Sequence, residues 1–230
     1  MSYIIWNNKK STDVSGLLIC DLPPISKPQM RTEIIEIDGA DGDIIQNLGY
    51  KSYTKTITIG LTRNYNIDEV IKYFDGSGTL TLSNEDDKYY NAQIIDKIDY
   101  NKLINFKKAS VKFHVQPYKY KLNETATELN ITTETSLTVN NQGLEDSKPI
   151  ITLYGSSLVG IYINGIKIFE VNISSEFVTI DSLNQEAYKN TSLKNSDMNG
   201  DFPVFKPGNN VITWTGTLTK IIVNPKSRWL

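Results

Sequence analysis

Cysteine and histidine are almost absent from this chain, and their scarcity limits its chemistry. The 230 residues contain one cysteine, Cys20, and one histidine, His114. A lone cysteine forms no internal disulfide and supplies no cysteine-rich zinc site, which is typical of a protein made in a reducing compartment. Because Cys20 follows the apolar run Leu17–Ile19, we expect it to be a small core residue. No pattern in the sequence indicates a cofactor or a bound metal.

An excess of positive charge and a long apolar run are also missing. The chain has 24 Lys and Arg against 26 Asp and Glu, with no basic run, so we expect no nucleic-acid binding. No apolar stretch approaches the ~20 residues that span a bilayer, and the N-terminal residues do not have the pattern of a signal peptide. We therefore expect a soluble, unexported chain without membrane insertion.

Abundant Thr, Asn, Ile and Tyr, together with scarce Ala, predict a mainly β protein. Two stretches before Tyr118 show the period of two that is typical of a strand with one buried face. In the first, Ile57, Ile59 and Leu61 alternate with threonines. In the second, an apolar set alternates with a polar set: Val111, Phe113 and Val115 against Ser110, Lys112, His114 and Gln116.

One short amphipathic helix interrupts these strands. Its apolar residues Ile67, Val70, Ile71 and Phe74 follow the spacing i, i+3, i+4, i+7. Asn66 is a candidate N-cap with Glu69 three residues later, and Gly76 is expected to end the helix. This pattern predicts a helix packed on a sheet.

A second β domain is predicted after the Thr- and Asn-rich stretch that begins near Tyr118. Its strongest feature is GIYINGIKIFEV, in which Asn164-Gly165 predicts a type I′ turn. That register places Ile163 opposite Ile166, Ile161 opposite Ile168, and Tyr162 opposite Lys167. Further strands are predicted at 176–180, 210–214 and 220–223, with a long loop over 188–210. A β-sandwich accounts for these elements.

The stretch EIDGADGDII, residues 36–45, predicts a turn between two strands. Neither register of its aspartates matches a calcium loop, since residues 40, 42 and 45 lack ligand side chains where ligands are needed. No Lys-Ser/Thr and no helix follow its glycines, so it does not match a phosphate loop. Glycines at positive φ explain the stretch without a ligand.

Evidence for catalysis is weak. His114 lies on the polar face of a predicted strand, which favours an exposed or interface histidine over a catalytic base. The acidic run Glu85–Asp87 is expected in a solvated turn between strands. Scattered carboxylates leave a β-sandwich hydrolase as a minor alternative.

Several longer stretches resemble the distal tail (Dit) proteins of long-tailed, siphovirus-type bacteriophages that infect Gram-positive hosts. EIDGADGDII is similar to that family's early hairpin with a Gly-Arg-Asp-Gly-like turn, although Ala40 replaces the basic residue. VKFHVQPYKY resembles the strand that ends the first domain in an aromatic-rich Pro-Tyr exit. PGNNVITWTGTLTKIIVNPKSRWL resembles the family's closing hairpin. The resemblance spans most of the chain.

The resemblance implies a fold and a role. Residues 1–118 would form a split-barrel-like β domain with one short helix, and residues 119–230 a galectin-like or carbohydrate-module-like β-sandwich. Residues 220–230 are candidates for a return to the first domain. The first domain would assemble into a ring, commonly a hexamer. This ring would be a structural, non-enzymatic hub of the tail-tip baseplate. It would join the tail tube and tape measure proteins to tail-associated or receptor-binding proteins. The protein would be made in the host cytoplasm and located in the virion.

Two groups of residues are predicted to form the subunit interface. They are the hairpin turn with Asp38, Asp41, Gly42 and Asp43, and the polar strand face with Lys112, His114 and Gln116. The alternative function is a carbohydrate-binding tail accessory module that contacts the host cell wall, because sugar rings stack on exposed aromatic faces. Its candidate residues are Trp214, Tyr162 and Tyr188. For Trp214, a core position in the sandwich is the competing interpretation.

Overall fold

In a computed structural model that describes residues 2–39, 41–174 and 176–230, the chain is mainly β and forms two compact units. The first unit comprises the residues up to Leu122 together with Leu230, and the second spans Asn123–Trp229. The mainly β class predicted from the sequence is confirmed. The strand that ends the first unit continues to Lys121. The functional division at residue 118 stays a prediction.

The first unit contains nine strands, two α-helices and a 3-10 turn at Ser11–Asp13. The strands are β1 (Ile4–Trp6), β2 (Lys9–Lys10), β3 (Leu17–Asp21), β4 (Met30–Glu36), β5 (Asp43–Tyr50), β6 (Tyr53–Leu61), β7 (Ser77–Leu82), β8 (Glu85–Gln93) and β9 (Lys108–Lys121). The helices are α1 (Ile67–Tyr73) and α2 (Tyr100–Phe106). Seven of these strands lie in one curled antiparallel sheet, in the order β2-β1-β7-β8-β9-β6-β3. Strands β4 and β5 form a separate two-stranded sheet.

The core of the first unit lies on one face of the curled sheet. Ile57, Ile59, Val111 and Phe113 are fully buried on the neighbouring strands β6 and β9, which confirms the alternation predicted from the sequence. Trp6 from β1 packs edge-on against Phe113, with ring centroids 5.1 Å apart. The opposite face of β9 carries polar side chains and faces solvent.

Helix α1 begins where the sequence predicts it. The Asn66 side chain accepts hydrogen bonds from the backbone N–H groups of Asp68 and Glu69. Ile71 is exposed, however, and Tyr73 is buried in the core with Val70, so the buried stripe differs from the predicted one. The prediction of a single helix was also wrong.

The second helix, α2, was missed because no glycine marks its end, whereas Gly76 follows α1. Asp99 caps it by accepting a hydrogen bond from the Lys102 N–H at 2.9 Å. Lys107 adopts the left-handed conformation after its last residue, with φ of 56°. A glycine at such a position is the usual sequence sign of a helix end.

The second unit is a β-sandwich of two antiparallel sheets. Its strands are β10 (Thr127–Asn130), β11 (Ser136–Asn141), β12 (Ile150–Gly155), β13 (Ser157–Ile163), β14 (Ile166–Ile173), β15 (Phe177–Asp181), β16 (Glu186–Lys189), β17 (Ser192–Leu193), β18 (Met198–Gly200), β19 (Gly208–Thr215), β20 (Leu218–Asn224) and β21 (Arg228–Trp229). One sheet has the order β10-β20-β12-β15-β16-β17, and the other β11-β19-β13-β14-β18. Apolar side chains from both sheets share one core, which includes Leu153, Ile161, Phe169 and Ile221.

One sequence prediction for the second unit needs correction. The stretch 188–210 is not a continuous loop, because it contains β17, β18 and a 3-10 turn at Asn195–Asp197. Strand β20 lies between β10 and β12, which places residues 218–224 in the sandwich. A return of the residues after 224 to the first domain stays a prediction.

The hairpin at Asn164-Gly165 has the predicted turn and a shifted register. Both turn residues have positive φ, 51° and 84°, as a type I′ turn requires. Tyr162 pairs with Lys167 as predicted, but a β-bulge places Ile161 opposite Phe169 instead of Ile168. The bulge thereby turns the larger Phe169 side chain into the core, where it is 1% exposed.

The expectation that Cys20 is buried was wrong. Cys20 is exposed, because it lies at a bulge of edge strand β3 where the pairing with β6 shifts after Ile19. Among the helices of the described residues, none has both the length and the apolar character needed to cross a bilayer.

Candidate assembly interface

Residues 30–50 form a hairpin, here called the arm, that extends from the first unit. Strands β4 and β5 pair with each other in register from Thr32–Asn47 to Glu36–Asp43. At the tip, Gly39 and Gly42 have φ of 81° and 85°. A side chain at either glycine would meet no neighbouring atom. The positive φ of the turn, and not a lack of space, therefore explains why glycine occupies both positions. The predicted turn is confirmed.

The arm exposes isoleucines on both of its faces. Cross-strand partners share a face, so Ile35 and Ile44 lie on one side and Ile34 and Ile45 on the other. These four side chains are between 40% and 62% exposed. An isolated two-stranded hairpin is at best marginally stable in water. An arm with apolar side chains on both faces therefore has the character of a segment that becomes buried against another surface.

The base of the arm is fixed to the first unit. The backbone N–H of Lys51 donates to the carbonyl of Gln29 at 2.8 Å. The Tyr50 ring meets the Tyr118 ring edge-on at 6.2 Å, and the Lys27 ammonium lies 5.6 Å from the Tyr50 centroid. These contacts hold the base, while strands β4 and β5 beyond it are exposed along their length.

Residues 22–29, here called the strap, lead into the arm and contain Pro23, Pro24 and Pro28. The side-chain amide of Asn84 donates to the carbonyl of Pro23 at 3.2 Å. The Lys55 ammonium donates to the carbonyl of Pro24, also at 3.2 Å. Each proline fixes its own φ, so the strap has few alternative conformations.

The Lys55 ammonium belongs to a buried ionic cluster beneath the strap. Glu85 accepts from the Lys119 ammonium at 2.8 Å and from the Tyr90 hydroxyl at 2.7 Å. Lys55 and Lys119 are only 1% and 5% exposed. Burial lowers the pKa of Lys55, partly offset by the nearby Glu85 carboxylate. The expectation that Glu85 lies in a solvated turn was wrong, because it begins strand β8 and its carboxylate is buried.

The structure places the predicted interface residues in two separate regions. Asp38, Asp41, Gly42 and Asp43 form the exposed tip of the arm. Ala40, the substituted position of the family-like turn, lies outside the described residues. The involvement of the tip in an interface stays a prediction at this point.

The second predicted interface region lies on the outer face of β9. Lys112 and Gln116 are exposed and His114 is half-buried, as the alternation indicated. His114 lies opposite Thr54 of β6 and Gln93 of β8, and a shallow depression runs beside it. The Lys112 ammonium lies 3.4 Å from the Asp96 carboxylate, in an exposed pair of the kind that contributes little stability. This face is polar throughout.

The three predicted sugar-binding aromatics do not share a surface. Trp214 lies opposite the fully buried Ile161 and packs against the sandwich core. Tyr162, one residue along β13, points to the opposite face of the same sheet. Tyr188 lies in the other sheet, opposite Thr179 of β15. A single sugar site that contains all three is therefore not formed.

Other chemistry is sparse in the described part of the chain. It contains no cluster of three or more His, Cys, Asp and Glu side chains that could hold a metal ion. The residues that sequence analysis missed are the arm isoleucines, Lys55 and Glu85. Consecutive isoleucines at 34–35 and 44–45 were a usable sign, because neighbouring strand residues point to opposite faces.

No family model and no curated protein matches the sequence. Solved structures do match. The Dit protein of phage SPP1, described as a paradigm of the hub adsorption apparatus in phages that infect Gram-positive bacteria, superposes with a TM-score of 0.72 at 14% identity, covering 100% of both chains. Two structures of the phage p2 baseplate in its activated conformation, with strontium and with calcium, each match with a TM-score of 0.51 at 10% identity. These matches cover 96% and 97% of this chain and 97% and 98% of theirs. The resemblance to Dit proteins is confirmed at the level of the fold.

Proposed function

We propose that this chain is a structural protein of a bacteriophage tail tip that assembles into a closed ring through its first unit. A hexamer is the stoichiometry we expect. The ring would act as a non-enzymatic hub between the tail tube and tape measure proteins and the tail-associated or receptor-binding proteins. The fold shared with the SPP1 Dit protein and the p2 baseplate chains supports this role.

The observation that carries the proposal is the unpartnered apolar arm. Six of its large side chains are about half exposed: Ile34, Ile35, Ile37, Ile44, Ile45 and Leu48. Burial of the exposed half of six such side chains contributes roughly 5–9 kcal/mol per interface, before the cost of association. An arm that leaves one copy and docks on the next gives a head-to-tail interface, and such interfaces form rings when the rotation closes.

The test is the mass of the purified chain by light scattering and native mass spectrometry. A hexamer of the 26.0 kDa chain has a mass of about 156 kDa. Ile34→Asp with Ile45→Asp places two carboxylates on one arm face and is expected to reduce the mass to that of a monomer. Circular dichroism should remain unchanged, because neither side chain belongs to the core.

Ile95→Asp is the matched control. Ile95 lies outside the arm in the same unit and is 63% exposed, close to the 62% of Ile45. We expect this variant to assemble like the unaltered chain. The proposal would be contradicted if the unaltered chain stays monomeric at high concentration. It would also be contradicted if the arm variant still forms the ring.

A second candidate function is carbohydrate binding by the sandwich. Tyr154 and Phe177 lie opposite each other, with ring centroids 5.2 Å apart, and the strand alternation places Tyr188 on the same face of that sheet. The Lys189 ammonium lies 5.0 Å from the Phe177 centroid. Half-exposed aromatic rings beside polar groups suit stacking on sugar rings.

Binding to cell-wall polysaccharide fragments, measured by calorimetry, tests this second candidate. Tyr188→Ala should abolish binding, whereas Tyr162→Ala, on the other sheet, should leave binding intact. A folded protein that gives no heat with any wall fragment would eliminate this function and leave the ring proposal unaffected.

A further inference from the structure

The arm is strongly acidic as well as apolar. Residues 30–50 contain five carboxylates and one arginine, which gives a net charge of −4. Glu36, Asp38, Asp41 and Asp43 cluster at the free end, here called the acidic tip. None of these four forms a salt bridge with another described residue of the chain. The whole chain has a net charge of −2, so the residues outside the arm carry a net charge of +2.

A basic surface surrounds the end of helix α2. Residues 100–108 contain Lys102, Lys107 and Lys108 and no carboxylate. All three lysines are exposed, and none is part of a salt bridge within the described residues. Phe106 lies among them and is 75% exposed. These four residues are here called the basic patch.

The four patch residues lie close together in the chain. Lys102 and Phe106 are four residues apart on α2 and therefore lie on one helix face. Lys107 follows the helix directly, and its ammonium lies 4.5 Å from the centroid of Tyr65. Lys108 begins β9 and lies opposite Gly60 of β6. Strand β6 in turn pairs with β3, the edge strand of the sheet. The patch thus combines one exposed aromatic ring with three cationic side chains, and aromatic residues are enriched in protein interfaces.

We infer that the basic patch of one copy is the docking site for the acidic tip of the arm of a second copy. This inference rests on the proposed ring and names the surface on which the arm docks. Phe106 would pack against the isoleucines next to the tip, and the lysines would pair with the tip carboxylates. Opposite charges of this kind mainly set the register of an interface and the rate at which it forms.

A second copy is the occupant that the chain itself favours. The arm extends seven residues beyond its base, about 23 Å at ~3.3 Å per residue, which is far enough to reach a neighbouring molecule. It forms its own two-stranded sheet and pairs with no other described strand. Each copy therefore offers one acidic tip and one basic patch, and a head-to-tail ring satisfies every one of them.

Charge reversal tests the inference. In the patch variant, Lys107→Glu and Lys108→Glu place negative charge opposite a negative tip. In the tip variant, Asp38→Lys, Asp41→Lys and Asp43→Lys change the charge of the tip from −4 to +2 and place positive charge opposite a positive patch. Each variant alone should assemble at least about tenfold more weakly than the unaltered chain, because attraction between tip and patch is replaced by repulsion.

The two variants should rescue each other. In a 1:1 mixture, every negative tip can meet a positive patch and every positive tip a negative patch, so native mass spectrometry should detect rings in which the two variants alternate. The chain with all five substitutions should also assemble by itself. Rescue requires that both variants are folded, so it excludes misfolding as the cause of the loss.

Lys72→Glu with Lys97→Glu is the matched control, since both lysines are exposed in the same unit and lie outside the patch. It should assemble normally. Carbodiimide treatment of the unaltered ring should give amide cross-links between tip carboxylates and patch lysines of different copies. Normal assembly of both reversed variants, with no such cross-link, would overturn the docking site and leave the ring intact. A monomeric unaltered chain would contradict the ring itself.

Discussion

The buried cluster of Lys55, Lys119 and Glu85 leads to a sharp prediction about stability. It contains two ammonium groups and one carboxylate, all nearly inaccessible to water. Glu85→Gln keeps the shape of the side chain and removes the only negative charge. Both lysines then remain buried without a counter-charge, and the loss of one partner of a buried pair typically costs about 3–5 kcal/mol. For a unit of about 120 residues this corresponds to a fall in Tm of roughly 10–20 °C.

Lys55→Met should have the opposite effect. Methionine has a similar length, and it removes the surplus cation while Glu85 and Lys119 remain paired at 2.8 Å. Burial lowers the pKa of Lys55, so the folded state disfavours its charged form. The stability of the unaltered unit should therefore rise with pH between the lowered pKa of Lys55 and its ordinary value of 10.5, where the unfolded chain binds more protons. The methionine variant should lack this rise and be neutral or about 1–2 kcal/mol more stable at neutral pH.

Urea unfolding followed by the fluorescence of Trp6 measures both effects. Trp6 is 2% exposed in the first core, and Trp214→Phe with Trp229→Phe removes the other two tryptophan signals. Asp87→Asn is the matched control, because Asp87 pairs with Lys88 on the same strand but its side chain is 67% exposed. Asp87→Asn should lower the free energy of unfolding by less than about 1 kcal/mol. Equal effects of Glu85→Gln and Asp87→Asn would refute the reasoning about buried charge.

Three further outcomes are expected. Asn66→Ala removes the cap of α1 and should cost about 1 kcal/mol in urea unfolding, and an unchanged midpoint would contradict the capping role. Gly165→Val should destabilise the sandwich by about 1–2 kcal/mol because φ there is 84°, whereas Gly165→Asn, which tolerates this region, should cost less. Hydrogen bonds from backbone N–H groups, that of Thr132 first, lower the pKa of Glu134 to about 2, so this turn should stay ordered above pH 4.5 and loosen as the pH falls through 2. A carboxyl NMR titration of Glu134 with a midpoint near 4.5 would disprove this assignment.

Regular alternation and specific turn residues made much of the fold predictable. The strands around Ile57 and Val111, the cap at Asn66 and the turn at Asn164-Gly165 each depend on residues close together in the chain. The fold-level resemblance to Dit proteins was also visible in short stretches of sequence, and the comparison with SPP1 Dit confirms it.

The wrong predictions for Glu85 and for the hairpin register have a shared cause, because both depend on contacts between residues far apart in the chain or on local irregularities that the residue pattern does not show. Glu85 follows a turn-like Ser-Asn pair, and its burial depends on Lys119, which lies 34 residues later. The bulge that moves Phe169 opposite Ile161 does not alter the residue pattern of either strand. For the candidate interface, sequence reasoning identified the turn of the arm but not the apolar surface behind it. The isoleucine pairs at 34–35 and 44–45 indicate apolar side chains on both faces, but they do not show that β4 and β5 lack a core to pack against.

The strap connects the buried cluster to the arm. Its contacts explain how an arm that packs on no core can hold a fixed orientation at its base. Carbonyls of Pro23 and Pro24 are held by Asn84 and Lys55, and the prolines limit the remaining conformations. A pre-oriented arm loses less conformational entropy when it docks, so more of the free energy of apolar burial remains for association. Burial of the Lys55 ammonium has a desolvation cost that an apolar side chain would avoid. The same ammonium donates the hydrogen bond that holds the Pro24 carbonyl of the strap. The same lysine thus lowers the stability of one copy, and in the proposed ring it would favour assembly. A Lys55→Met chain that is more stable but forms rings less readily is the combination that this arrangement predicts.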